Sequence, residues 1–287
     1  MPILPPEVNQ TGIPAAAGSM NAEDRDTELH AAIAEYLEGE GDFGLDPRAL
    51  AILDDMDASK REIISVEEMI DVVIAIRLRS MADSVYHGNM RQGKAGNFAE
   101  VITSLGMRRS RVFIIAMALF SRMGAEHMHL QIESFATSLL ARLIAEQMGF
   151  DQSSMEKAEL GGLFLNLGKV VIAAYQFKAK AEIEPAFVEK YHRYFAAEII
   201  TRFNLPEYLG DYIQEERLVL LKKSFSVGGI VYLARSLVEK IIRECGIIEV
   251  KSPMPEVKDN LDVSLGSIIS EHFGMIGLGK YVKVIPG

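Results

Sequence analysis

From Leu29 onward, apolar residues return at three- and four-residue steps, the period of an amphipathic α-helix. Ile132, Phe135, Ala136, Leu139, Leu140, Leu143 and Ile144 form one such stripe, and Gly149 closes it. Leu160, Phe164, Leu167, Val171 and Ala174 form a second, read as a single helix. Val227, Ile230, Val231, Ala234, Leu237, Val238 and Ile241 form a third, followed by Gly246. In "NLPEYLGDYI" one helix ends near Asn204 and another starts at Pro206, because proline fits a first helical turn. "KSPMPEVKDN" reads as a loop, and "LDVSLGSIISEHF" as a terminal helix behind it. Alternating strand patterns are almost absent, so the expected fold class is all-α.

The pattern divides the chain of 287 residues into three parts. Residues 1–28 have no apolar period and are rich in Pro, Gly, Ala and polar residues, which predicts a flexible tether. Residues 29–122 predict an N-terminal helical subdomain, and residues 123–287 a second helical subdomain with a C-terminal helix. The break is placed at Met123-Gly124. "MPILPPEVNQ" has neither the basic start nor the apolar core of a signal peptide. The longest apolar run, Val112 to Phe120, falls far short of the about 20 residues that cross a bilayer. A soluble, cytoplasmic protein with no membrane contact is expected.

Charge adds an exclusion. The net charge is −10, against nucleic-acid binding, which needs an excess of Lys and Arg to displace phosphate counterions. Acids dominate from Asn21 to Asp57, opposed only by Arg25 and Arg48. The balance reverses from Arg77 to Arg111 through Arg77, Arg79, Arg91, Lys94, Arg108, Arg109 and Arg111. These arginines lack the interleaved aromatics that stack bases. They read first as a solvated or ion-paired face, and second as an anion or partner patch built on Arg77, Arg79, Arg108, Arg109 and Arg111. A lone cysteine, Cys245, excludes an internal disulfide and any multi-cysteine metal site.

Five segments, in order, carry a resemblance: "MADSVYHG", "FAEVITSLGMRRSRVFIIAMAL", "IESFATSLLARLIAEQMG", "GGLFLNLGKVVI" and "YHRYFAAEIITRFNLP". Together they are similar to the HDOD family, the HD-related output domain of bacterial signalling proteins, from about Ala49 to Arg243. The resemblance implies an HD-like helical bundle and descent from metal-dependent phosphohydrolases. In those enzymes His and Asp side chains from several helices hold divalent cations that activate water.

Carried over residue by residue, the resemblance implies that this ligand set is largely replaced. Glu133 stands where a first His is expected, Leu165 and Asn166 replace the His-Asp pair, Glu216 falls near a His pair, and Arg235 takes the place of a last Asp. Only His192 survives. Leucine offers no donor atom, Asn166 a weak neutral oxygen, and Arg235 a repelling charge. On one continuous helix, Leu165 would point away from the stripe of Leu160, Phe164, Leu167 and Val171, making the former metal face apolar. No metal and no cofactor are expected.

The remaining candidates read as structural. His192, near the stripe of Tyr191, Phe195 and Ile199, reads as a hydrogen-bonded histidine at the core edge. Lys169 reads as a solvated helix lysine, Gly162 and Gly168 as sites of close helix packing, and His127 and His129 as surface residues. The resulting expectation is a non-catalytic regulatory output domain whose partner is a signalling protein or an upstream receiver-type domain. The alternatives are a metal-dependent phosphohydrolase with a rearranged ligand set and a nucleotide-sensing module.

Overall fold

In the computed structural model, residues 22–39, 43–82, 96–214, 226–245, 248–251 and 282–285 are described. "MADSVYHG" from its third residue on, Arg91, Lys94, Glu216 and the expected terminal helix lie outside them.

The first part of the chain forms α1 (Ala22–Gly39), α2 (Pro47–Asp54), α3 (Lys60–Met69), α4 (Val72–Ala82), α5 (Phe98–Leu105) and α6 (Met107–Phe120). A 3₁₀ turn, Ala125–His127, leads into α7 (Met128–Gln147), α8 (Gln152–Phe164), α9 (Leu167–Ala179), α10 (Pro185–Arg202), α11 (Tyr208–Gln214) and α12 (Val227–Cys245). Local chemistry sets the starts. Asp46 accepts from the Arg48 N–H ahead of Pro47, Ser59 and Glu62 form a reciprocal capping box, and Asp151 accepts from the Ser154 N–H. Each satisfies a backbone donor that a first turn leaves open.

The all-α class holds, with one addition. β1 (Ile248–Lys251) and β2 (Val282–Ile285) form a two-stranded parallel ladder, Ile248 opposite Val282. Four alternating residues in each strand are too short a run to stand out against helical periods.

α6 is apolar nearly all round and is buried from Arg109 to Phe120, as such a helix must be. It touches α2, α4 and α5 on one side and α8 and α9 on the other. One continuous core therefore crosses the break at Met123-Gly124, and its buried members run from Ile33 to Val238. α7, α8 and α12 pack mutually, and α9 packs on α10.

α1 corrects two expectations. Helix begins at Ala22, so residues 22–28 are not tether. Moreover α1 lies on α9 and α10, in the second half of the chain. Asp26 pairs with Lys190 at 2.8 Å. His30 sits among the rings of Tyr191, Tyr194 and Phe195, and Ile33 is fully buried. Arg202 donates to the carbonyls of Leu37 and Glu38, closing the open C-terminal turn of α1.

The second stripe is two helices. Leu165 keeps helical angles, but Asn166 turns to φ −94°, ψ 11° and ends the run, and α9 restarts at Leu167. The stretch 152–179 is long and apolar enough to cross a membrane, but most of it is buried inside the protein. Each helix of 13 residues is about 20 Å long.

Candidate functional site

The break between α8 and α9 falls on the two positions where the resemblance places the His-Asp pair. Burial of Leu165 therefore follows from the helix junction, not from projection along a continuous helix. Leu165 is 7% exposed and Asn166 2%. The Asn166 side-chain nitrogen reaches Ser134 Oγ on α7 only at 3.5 Å, and its Oδ1 is buried without a partner. Glu133, beside Ser134, is half-buried.

Two glycines set how closely the helices meet. A Cβ on Gly162 would stand 2.6 Å from the Ser138 backbone nitrogen, where α8 crosses α7. A Cβ on Gly168 would collide with the His192 carbonyl, where α9 crosses α10. His192 is buried, and its Nδ1 lies 2.9 Å from the Val188 carbonyl and 3.1 Å from that of Glu189. Since carbonyls only accept, Nδ1 carries the proton. Burial holds the imidazole below its ordinary pKa, Lys169 and Arg193 push it further down, and the Val188 bond and Glu189 oppose them.

Charged groups rim this junction. Lys169 Nζ pairs with Glu189 at 2.9 Å, and its side chain is only 19% exposed, so it is not the solvated lysine expected. That pairing leads the causes that hold the Glu189 carboxyl below its usual range, and the charges of His192 and Arg235 add to it. Arg235 donates from Nε to Glu239 one turn along α12 at 2.5 Å.

A divalent cation needs several hard or imidazole donors converging on one point. Among the described residues, no three His, Cys, Asp or Glu side chains converge. Leu165 supplies no donor, Asn166 one amide oxygen, and His192 a single imidazole nitrogen, Nε2, since its Nδ1–H is held by backbone carbonyls. Arg235 and Lys169 bring positive charge. These residues do not fit the cation of a phosphohydrolase.

The arginine patch also needs correction. Arg109 is buried and donates to Glu159 at 2.5 Å, while Arg142 donates to the other oxygen of Glu159 at 3.1 Å. Arg111 is buried, donates to the Phe203 carbonyl and pairs with Asp54 at 3.0 Å. Arg79 grips both oxygens of Glu67. Only Arg108 is exposed, and Arg77 is half-buried. A helix interior takes up guanidinium groups when carboxylates accompany them, so the basic run does not make one anion-binding surface. Sequence reasoning missed Arg142 and Glu159, although the signal was there. Each is a charge inside an apolar helical run.

A cleft of about 580 Å³ opens away from the junction, between α8, α11 and the start of α12. It is lined by both Lys157 and Asp211, which select no charge of ligand.

Fold and junction together define a class, an HD-like helical bundle whose helix pair α8–α9 breaks at the positions where the resemblance places a His-Asp pair. The HDOD domain model matches residues 46–217, and the chain belongs to the HDOD domain family. α1 lies ahead of the matched segment. Among solved structures, the chain is similar to a protein from Shewanella amazonensis SB2B provisionally named a metal-dependent phosphohydrolase, at 15% identity, with 88% of this chain and 99% of that one covered and a TM-score of 0.57. It is also similar to an HDOD domain protein of unknown function from Geobacter sulfurreducens, at 19% identity, with 89% of each chain covered and a TM-score of 0.48. A third is the MmoQ response regulator from Methylococcus capsulatus Bath, at 14% identity, 82% and 93% coverage and a TM-score of 0.34. At these identities the likeness concerns the fold. No curated protein matches the chain.

Proposed function

We propose that this chain is a non-catalytic regulatory module of a bacterial signalling system, cytoplasmic and without metal or cofactor. It acts by protein–protein contact with a signalling protein or a receiver-type domain. The observation that carries this reading is the α8–α9 junction: Leu165 is buried in apolar contact and Asn166 points at Ser134. In this reading the HD pocket is a vestige, and the space where water would be activated has become part of the core.

Elemental analysis of the purified chain, paired with phosphomonoester and phosphodiester assays in added manganese, tests it. The expected result is substoichiometric metal and no turnover above buffer. One or two equivalents of iron, manganese or zinc, with turnover lost in His192→Ala, would overturn it and restore the phosphohydrolase alternative.

A further inference from the structure

The exposed large apolar side chains are mostly scattered singly, as Met56, Met148 and Phe177 are, but three fall within one and a half turns of α4. Val72 is 67% exposed, Val73 49% and Ile76 57%, while Ile74, Ala75, Leu78 and Met81 on the opposite side are in the core. Single exposed apolar residues are ordinary, whereas a contiguous stripe marks a surface made to be covered.

Charge says what covers it. Glu68 and Asp71 stand at the N-terminal end of the stripe and are exposed, and Arg77 and Ser80 stand at its C-terminal end. Arg77 makes no ion pair with another described residue, and Asp71 is the carboxylate whose charge acts on it. A surface that is acidic at one end, basic at the other and apolar between is complementary to itself when turned end for end. A partner of different sequence would not require this symmetry, and a second copy of the chain does.

We propose that α4 is a self-pairing surface, on which a second copy of this chain docks antiparallel across Val72, Val73 and Ile76. A two-fold axis at the level of Ile74 sets Val72 opposite Ile76 of the second copy. The same axis brings Asp71 beside the second copy's Arg77, and the contact occurs twice by symmetry. The antiparallel arrangement also sets opposite ends of the two helix dipoles together. Stable interfaces cover roughly 800 Å² on each partner, and a stripe of this size covers less. The pairing is therefore weak and concentration-dependent. It does not rest on the reading of the α8–α9 junction.

Sedimentation equilibrium of the full chain, from low micromolar to near-millimolar concentration, tests it. A reversible monomer–dimer equilibrium is expected. Ile76→Glu should weaken it by at least about tenfold, as loss of a central apolar anchor does. Arg77→Glu and Asp71→Lys should each be monomeric alone, because each sets like charges together. Mixed in equal amounts, those two variants should form a heterodimer, since the mixture restores both contacts. Thermal melts confirm that each variant is folded. A chain that stays monomeric throughout, a dimer indifferent to Ile76→Glu, or a mixture that fails to pair would each overturn the proposal.

Discussion

Gly168 of α9 rests against the backbone carbonyl of His192 on α10, with no room between them for a methyl group. The obstacle is main chain, which cannot rotate aside as a side chain could. Gly168→Ala would ordinarily gain stability on a helix. Here it should cost at least about 2 kcal/mol through overpacking. Denaturant melts of the variant decide it, and an unchanged midpoint would mean that the two helices part easily.

Glu159 joins Arg109 and Arg142, and with them α6, α7 and α8, through one carboxylate that is 3% exposed. Removing the acid leaves two guanidinium groups buried together. Glu159→Gln should therefore destabilise the fold by about 3–5 kcal/mol. Arg142→Met should cost less, because one charge then remains matched with one. Equilibrium urea unfolding of both variants gives the order.

Building in the His-Asp pair that the resemblance implies is expected to fail. Leu165→His with Asn166→Asp places an imidazole and a carboxylate at a junction closed on all sides, where burying an unpaired charge costs several kcal/mol. Arg235, already bonded to Glu239, would repel a cation even if it turned to meet the new acid. The double variant should melt earlier, take up manganese weakly if at all, and hydrolyse no phosphoester. A stable, metal-loaded, active double variant would show an intact pocket with only its ligands exchanged.

Acid should weaken the fold through His192. Burial holds its folded-state pKa below that of a free imidazole, so the unfolded chain takes up the proton first as pH falls. Above the unfolded pKa both states hold neutral imidazole and stability is unaffected. Below about 6.5 the unfolded state gains protons that the folded state lacks, and stability declines until the folded pKa is reached. His192→Gln should flatten that part of the curve. Chemical melts between neutral pH and pH 5 measure the difference, and parallel curves for the two proteins would exclude His192 as the source.

Most of the fold was legible in the sequence because three long apolar stripes have one period and burial follows them. Ile230, Val231, Ala234, Leu237 and Val238, for instance, are all buried as their spacing implies. The α8–α9 break was not legible. Leu165, Asn166 and Leu167 are all compatible with continuing a helix, and the turn lies between Gly162 and Gly168, each packed against a neighbouring backbone. The charged interior was hidden for a different reason. Arg109, Arg142 and Glu159 are far apart along the chain, and only the crossing of three helices brings them together. Counting arginines by position gave an ion-paired face first and an anion patch second; the pairs exist, as Arg111 with Asp54 shows, but the fold draws Arg109 and Arg111 inward.

α1 gives the molecule a handle. The bonds of Asp26, His30 and the last carbonyls of the helix all end on α10, the helix that carries His192. Tension applied to the chain ahead of Ala22 is therefore passed through α1 to α10, and to α9 beside it. α10 is in turn wedged against α9 at Gly168, so it cannot slide without moving the α8–α9 junction. A displacement of a few ångströms ahead of Ala22 thus has a rigid route to the α8–α9 junction.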